Sequence, residues 1–221
     1  MYISKITLRS DTKVSEILKK LGPNTHQAHK LVWDLFSDSP DRRRDFIYRF
    51  DMDGASACFF AVSERPPKDP DGMWVVETKP YEPRLMVGDR LNFMLRANPV
   101  VTRRDEEKKH KRHDLVMDIK HQARESGQVV SGDVSIIAVC RWLLERSDRH
   151  GFRIDEDSIR VGAIRQMSFF KGRGRNPVSI TTMDITGALE VFDSLKLEHT
   201  LFHGLGPAKG YGCGLMLIRR T

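Results

Sequence analysis

Apolar and polar residues alternate over residues 1–8, and this period of two predicts a β-strand. The segment HQAHKLVWDLF, which begins at His26, instead carries its apolar residues at helical spacing. It predicts an amphipathic helix whose cap is Asn24 or Thr25. The residues expected on the buried face of this helix are Ala28, Leu31, Val32, Leu35 and Phe36.

The rest of the first half is dominated by β-type runs. Residues 45–50, 57–63, 74–78 and 91–95 predict four strands that close the first half of the chain. The turn residues Asp53 and Gly54 separate the first two, and the Pro- and Asp-rich segment 65–72 predicts a loop.

The second half repeats this mixture. Residues 135–146 predict an amphipathic helix, whose apolar positions are Ile136, Ile137, Val139, Cys140, Leu143 and Leu144. Residues 158–171 and 177–189 predict two long strands around the turn KGRGRNP. A final helix at 188–203, a glycine-rich loop and a strand at 215–219 follow. The charged segment 103–113 predicts an exposed loop.

This order of elements predicts an α+β fold of two tandem ferredoxin-like modules, which resemble RNA-recognition motifs. We place the first module at residues 1–95 and the second at residues 96–221.

Composition indicates a globular protein with a polyanionic partner. The 37 Lys and Arg residues exceed the 30 Asp and Glu residues, for a formal charge of +7. A basic excess favours nucleic acid as a binding partner, because neutralised phosphates release counterions, although plain solubility also accounts for the excess.

Cys58, Cys140 and Cys213 form no CxxC pair, so we expect neither a zinc site nor a disulfide framework. Since neither a long apolar run nor a signal-peptide core occurs, we expect a cytoplasmic protein without membrane contact.

Two histidines stand at the start of the first predicted helix. His26 and His29 are three residues apart, so both project to one side of it. Imidazole is well suited to moving protons near neutral pH, and such a pair suits a base and an acid on either side of one phosphate. Spacing alone equally fits two metal ligands, although no third ligand accompanies them, or two solvated side chains.

The segment GLGPAKGYGCG, residues 204–214, holds five glycines among eleven residues. It lacks the GK-Ser/Thr of a P-loop, and a helix precedes it where a Rossmann fingerprint needs a strand. A tight crossover between helix and strand is the simplest explanation. Because five glycines exceed that need, we favour close contact of the backbone with an anion, through Gly206, Lys209, Gly210 and Gly212.

The charge is concentrated on the long hairpin of the second half. Between residues 159 and 183 five basic residues occur and no acid. Three of them, Lys171, Arg173 and Arg175, lie at the predicted tip, and Arg165 lies on the preceding strand. Such a tip is typical of a segment that grips phosphates, so we assign these four residues to RNA binding.

Several motifs together resemble one family. The segments MYISKITL, HQAHKLVWDLF, DRRRDFIYRF, FMLRANPV and GLGPAKGYGCGLMLI are similar to those of the CasE family, the endoribonucleases of the type I-E CRISPR Cascade complex. The similarity extends over the whole chain, and the final glycine-rich segment with LRANP is its most specific part.

This resemblance implies two ferredoxin-like modules, binding of the CRISPR repeat hairpin, and association with the other Cascade subunits. It also implies a cut at the base of the stem without metal or other cofactor, in which the 2′-hydroxyl attacks to leave a 2′,3′-cyclic phosphate. The family's essential histidine corresponds to His29, four residues before Trp33. Where many members have a tyrosine, this chain has His26, which leaves the second catalytic group open.

Two other classes of function remain as alternatives. One is a non-catalytic RNA-binding subunit of the same fold, and the other is a ferredoxin-like protein that binds a metal or a small molecule. Cleavage of a repeat hairpin in EDTA distinguishes the three classes.

Overall fold

The computed structural model describes residues 1–10, 28–36, 43–53, 56–104, 110–127, 132–170 and 177–221. Its first sheet has the order β2-β3-β1-β4, with every described pairing antiparallel. The strands of this sheet are β1 (Tyr2–Leu8), β2 (Phe46–Asp53), β3 (Ser56–Ser63) and β4 (Trp74–Pro80). Ser4 and Ile6 are buried and Lys5 is exposed, as the alternating sequence predicts.

The second sheet has the order β10-β5-β9-β8, again antiparallel. Its strands are β5 (Arg90–Ala97), β8 (Phe152–Phe170), β9 (Pro177–Val191) and β10 (Met216–Arg220). A separate hairpin pairs β6 (Val100–Arg104) with β7 (His110–Asp114). Numbered within its own sheet, each four-stranded order is 4-1-3-2, the order of a ferredoxin-like module. The predicted fold class is confirmed.

Helices cover the sheets and complete the cores. They are α1 (Ala28–Asp34), α2 (Leu115–Ser126), α3 (Val134–His150) and α4 (Ser194–His203), with a 3₁₀ turn at Lys209–Tyr211. The predicted inner face of α1 is buried, with Val32 fully so. Helix α3 begins at the cap Asp133, whose carboxylate accepts from the Ser135 amide, and ends at Gly151 in the left-handed region.

Each module has its own core, and a third cluster of apolar residues joins them. Ile47 and Val62 of the first sheet pack there with Leu215, which immediately precedes β10, and Phe202 of α4 lies against them. None of the described helices is long and apolar enough to span a membrane.

Four local predictions differ from the structure in part. The strand predicted at 91–95 is present as β5, but it belongs to the second sheet, because it pairs with β9 and β10. The last helix begins at Ser194 instead of 188, since β9 continues to Val191 and Asp193 supplies the cap. The charged segment 103–113 contributes to the β6–β7 hairpin, and α2 was not predicted. On α3, Ile137 and Leu144 are exposed. The division into residues 1–95 and 96–221 stays a prediction.

Candidate active site

His29 lies on α1 and is half-buried. Its neighbours Ala28, Leu31 and Val32 are buried in the first module, so packing of α1 fixes where the imidazole stands. The ring of Tyr211 meets the His29 ring edge-on, with 6.2 Å between centroids and 69° between planes. An edge-to-face contact of this kind is favourable, so it stabilises this orientation of the imidazole. His26 lies outside the described residues.

Tyr211 belongs to the 3₁₀ turn inside the glycine-rich loop, and Tyr48 of β2 holds this turn in place. The buried Tyr48 hydroxyl donates to the Gly210 carbonyl at 3.0 Å. Burial raises the pKa of Tyr48, so the phenol remains a donor at any physiological pH. A core residue of the first module thereby positions a loop of the second module beside His29.

The glycines of the loop have packing reasons of their own. Gly206 adopts φ +81°, and a Cβ there would come within 2.6 Å of the Trp142 ring. A Cβ at Gly210 would lie 3.0 Å from the Arg44 guanidinium, which keeps this basic group close to the backbone of the turn. The loop is therefore tightly packed against both modules. The assignment of Gly206, Gly210 and Gly212 to RNA binding stays a prediction.

Beside Tyr211 a cleft of about 140 Å³ opens between the two sheets. Asp51, Arg96 and Arg165 line the cleft and belong to a cluster of charged residues, which we call the Arg–Asp network. The members of this network are Arg49, Asp51, Arg96, Arg165 and Asp184. Arg96 Nε donates to Asp184 at 2.7 Å, and its Nη2 reaches Asp51 at 2.8 Å, so one guanidinium joins the second sheet to the first.

Asp184 is the centre of the Arg–Asp network. It also accepts from Arg165 Nη1 at 2.6 Å, and Arg49 Nη2 lies 3.5 Å from it. Burial alone raises the pKa of Asp184, but hydrogen bonds from Arg96 and Arg165 and the charges of Arg96 and Arg49 outweigh burial and hold it at about 2. The carboxylate is ionised at neutral pH and neutralises part of the network.

Lys209, at the start of the 3₁₀ turn, is half-buried. Burial and then the charge of Arg44 lower its pKa. Lys209 is two residues from Tyr211, and Arg44 approaches the same turn from the first module. Both cations therefore stand near the turn that contacts His29, where a phosphate group gains from positive charge.

The structure brings His29 together with the glycine-rich loop, and it pairs Arg165 with a carboxylate that the sequence analysis did not consider. Between residues 159 and 183 no acid occurs, yet Arg165 pairs with Asp184 on the neighbouring strand. Arg165 remains half-exposed at the cleft, while Lys171, Arg173 and Arg175 lie outside the described residues. The described part of the chain holds no group of three or more His, Cys, Asp or Glu suited to a metal ion.

Sequence reasoning missed Tyr211, Tyr48 and the Arg–Asp network. Tyr211 lies inside the glycine-rich motif, and its being the one aromatic residue of residues 204–214 was the feature that could have identified it as a site residue. The network gave no signal, because Arg96 and Asp184 are 88 residues apart in the chain.

Known proteins similar to this chain agree on one family. Residues 1–220 match the family model described as "CRISPR associated protein". The CRISPR system Cascade subunit CasE of Escherichia coli K12 is 29% identical over 221 residues, which cover 99% of this chain and 98% of that protein. The CRISPR-associated endoribonuclease Cse3 of Thermus thermophilus is 28% identical over 152 residues, 65% of this chain and 62% of that protein.

A solved structure of Thermus thermophilus Cse3, bound to an RNA representing a pre-cleavage complex, superposes with a TM-score of 0.69. The match covers 99% of this chain and 98% of that chain at 21% identity, and it shows a shared fold. The resemblance that the sequence motifs indicated is confirmed, and the chain belongs to the family of CRISPR-associated proteins.

Proposed function

We propose that this chain is an endoribonuclease that binds the stem-loop of CRISPR repeat RNA and cuts at the base of the stem. The observation that carries this proposal is the position of His29, which stands at the contact between α1 and the basic glycine-rich loop. The relatives named CasE, a Cascade subunit, and Cse3, an endoribonuclease, support it. We further propose that the product RNA stays bound and that the protein remains a Cascade subunit.

The reaction is an attack by the RNA 2′-hydroxyl on the adjacent phosphate, which yields a 2′,3′-cyclic phosphate and a 5′-hydroxyl. The 2′-hydroxyl loses a proton and the leaving 5′-oxygen gains one, so an acid–base pair accelerates both steps. His29 acts as one member of the pair, and we assign the other role to His26. No metal ion or cofactor takes part.

Tyr211 positions the reacting imidazole. Its ring contacts His29, while its loop is anchored by the Tyr48 hydrogen bond. Lys209 and the amides of the loop offset negative charge that develops on the phosphoryl oxygens. In this scheme the first module supplies the proton chemistry, and the second supplies the phosphate contacts.

The cytoplasm is the compartment that we propose for this activity. Cys58, Cys140 and Cys213 are free thiols, which suits a reducing environment.

The test is to incubate the protein with a repeat-derived RNA hairpin in EDTA. We expect cleavage with a cyclic-phosphate end, and we expect His29→Ala to lower the single-turnover rate by about 10²–10⁴-fold with unchanged hairpin affinity. The exposed His121 offers a matched control, because His121→Ala removes an imidazole that does not line the cleft. Binding without cleavage by the wild type would instead identify a non-catalytic RNA-binding subunit.

The same assay, run across pH, identifies the partner of His29. His26→Ala is expected to slow cleavage and remove one limb of the pH–rate profile, and His26→Tyr to restore part of the rate. Tyr211→Phe keeps the aromatic contact and is expected to leave the profile unchanged. Loss of a limb in Tyr211→Phe would transfer the proton role from His26 to Tyr211.

A further inference from the structure

A second concave surface lies where the end of α3 meets the glycine-rich loop, and we call it the α3–loop pocket. It encloses about 410 Å³. Its walls include Glu145, Arg146, Arg149 and His150 of α3 and Gly206 and Lys209 of the loop. Three cations and an imidazole thus share the pocket with one acid. That acid is already engaged, since Glu145 pairs with Arg141 at 3.2 Å and with Arg146 at 3.6 Å.

Two of the three cations, Arg146 and Lys209, are partly buried against the protein. The Arg146 guanidinium stacks on the Trp142 ring at 4.4 Å and donates to the Trp142 carbonyl at 2.8 Å. Trp142 is fully buried, and its ring also packs against Gly206. Lys209 is half-buried, which lowers its pKa. Cations that are fixed and partly desolvated, instead of free in water, are arranged for a ligand of opposite charge.

The pKa of His150 reflects both burial and the nearby positive charges. Its Nδ1 lies 2.8 Å from the Thr200 hydroxyl oxygen. Burial lowers the pKa of His150 to about 4, and the charges of Arg149, Arg146, Lys209 and His199 act in the same direction. Arg146 and Arg149 come from α3 and Lys209 comes from the loop, so two separate segments bring positive charge close to the imidazole.

The dipole of α3 explains only part of this arrangement. The C-terminus of a helix attracts cations within its last turn, and Arg149 and His150 occupy that turn. The dipole does not account for Lys209, which comes from a different segment and is desolvated there. Such a concentration of positive charge is better explained by an anion that fills the pocket.

We propose that the α3–loop pocket binds a backbone phosphate of the RNA strand that adjoins the cut. The inference rests on the proposed function, because it takes the RNA to be positioned by His29. Lys209 and Tyr211 belong to one 3₁₀ turn, with Lys209 lining the α3–loop pocket and Tyr211 contacting His29. A single RNA strand that passes this turn therefore meets the reacting imidazole on one side and the pocket on the other.

The first test compares two RNAs with a 2′-deoxy nucleotide at the cut, so that binding is measured without cleavage. One is the hairpin alone, and the other extends several nucleotides beyond the cut. For Arg149→Ala we expect about a 10-fold weaker affinity for the extended RNA at low salt, the size of one lost charge-assisted contact. The slope of log K against log salt is expected to fall by about 0.7, the value for one phosphate on a single strand.

The hairpin alone should bind Arg149→Ala as it binds the wild type. Arg124→Ala is the matched control, because Arg124 is an exposed arginine in the last turn of α2 and lies outside the α3–loop pocket. An equal loss for both arginine variants, or an equal loss for both RNAs, would overturn the proposal.

The second test follows the His150 pKa by NMR. Bound RNA is expected to raise it, since a phosphate offsets Arg149, Arg146 and Lys209, and Arg149→Ala should reduce the rise. Inorganic phosphate alone should produce a smaller shift. A full shift with inorganic phosphate and none with RNA would indicate a free-anion site, and no shift with either would leave the pocket without an anion.

The same measurements distinguish a failure of the phosphate contact from a failure of the proposed endoribonuclease activity. Wild-type protein that binds the extended RNA with the expected salt slope but does not cut it contradicts the endoribonuclease and leaves the phosphate contact intact. Wild-type protein that cuts the hairpin, with Arg149→Ala and Arg124→Ala indistinguishable, contradicts the phosphate contact alone.

Discussion

The Arg–Asp network and the α3–loop pocket each gather several basic groups, but their charge balance differs. In the network, Arg49, Arg96 and Arg165 share Asp51 and Asp184, with separations between 2.6 and 3.5 Å. In the pocket, one acid stands beside three cations and His150, and it is already paired on α3 itself.

This difference assigns the two regions to different roles. A buried guanidinium with carboxylate partners is offset within the protein, so removal of a partner is costly to folding. A guanidinium at the surface with no spare carboxylate is offset by water in the free protein and by a ligand anion when bound. The Arg–Asp network therefore joins the two sheets, whereas the α3–loop pocket suits the proposed contact with an RNA phosphate.

The largest expected effect is on the network. Asp184→Asn leaves Arg165 without its charged acceptor and Arg96 with Asp51 alone, so we expect the free energy of unfolding to fall by about 3–5 kcal/mol. Chemical denaturation at pH 7 measures it. Asp157→Asn is the matched control, because Asp157 is an exposed carboxylate on β8 in the same sheet.

The same variant changes the acid response. Because the folded-state pKa of Asp184 lies below its unfolded value, the stability it contributes is complete above about pH 4 and is lost as pH falls towards about 2. The variant should lack this component of acid unfolding. Equal stabilities of Asp184→Asn and Asp157→Asn would mean that the network does not hold the sheets together.

The next effect concerns the basic tip predicted from sequence. Lys171, Arg173 and Arg175 have no acid nearer in sequence than Asp157 or Asp184, so we predict that they behave like the cations of the pocket. Replacing all three by Ala should weaken hairpin binding by about 10²-fold at 0.1 M salt and flatten the salt slope by two to three units, at about 0.9 per phosphate.

A triple Ala substitution of Arg112, Lys120 and Arg124 removes the same charge from an exposed part of the second module and is the control for the tip variant. Its affinity should stay near that of the wild type. Identical losses for the two triple variants would indicate that only net charge matters.

The smallest effect is on the pH dependence of stability. The folded-state pKa of His150, about 4, lies below its ordinary value of about 6.5, so folding favours the neutral imidazole. The contribution of His150 to the free energy of unfolding is fully present above about pH 6.5 and decreases as pH falls towards 4.

His150→Gln should remove on the order of 1–2 kcal/mol of that decrease, a figure reduced because the imidazole is partly exposed. Thermal unfolding between pH 7 and 4 measures it, with the exposed His121→Gln as control. An unchanged pH dependence would mean that neither burial nor the cations of the pocket lower the pKa of His150.

Local pattern predicted much of the fold. The strand β1 was predicted from residues 1–8, because alternation of apolar and polar residues indicates one buried face. The buried face of α1 was predicted from the helical spacing of its apolar residues. The errors arose where local pattern and pairing disagree. The strand at 91–95 looked like a neighbour of β4, but its partners β9 and β10 come much later in the chain.

The candidate site divides in the same way. Three features of the site could be predicted from the amino-acid sequence: His29 stands on an amphipathic helix, a glycine-rich loop follows the last helix, and basic residues accumulate in the second module. Residue type, spacing and family motifs carry this information locally. The folded protein was needed to show that Tyr211 contacts His29, that Tyr48 anchors the loop, and which cations have carboxylate partners. Those contacts depend on burial and on distances between residues far apart in the chain, because a charged side chain is stabilised by the groups that lie near it in the folded protein.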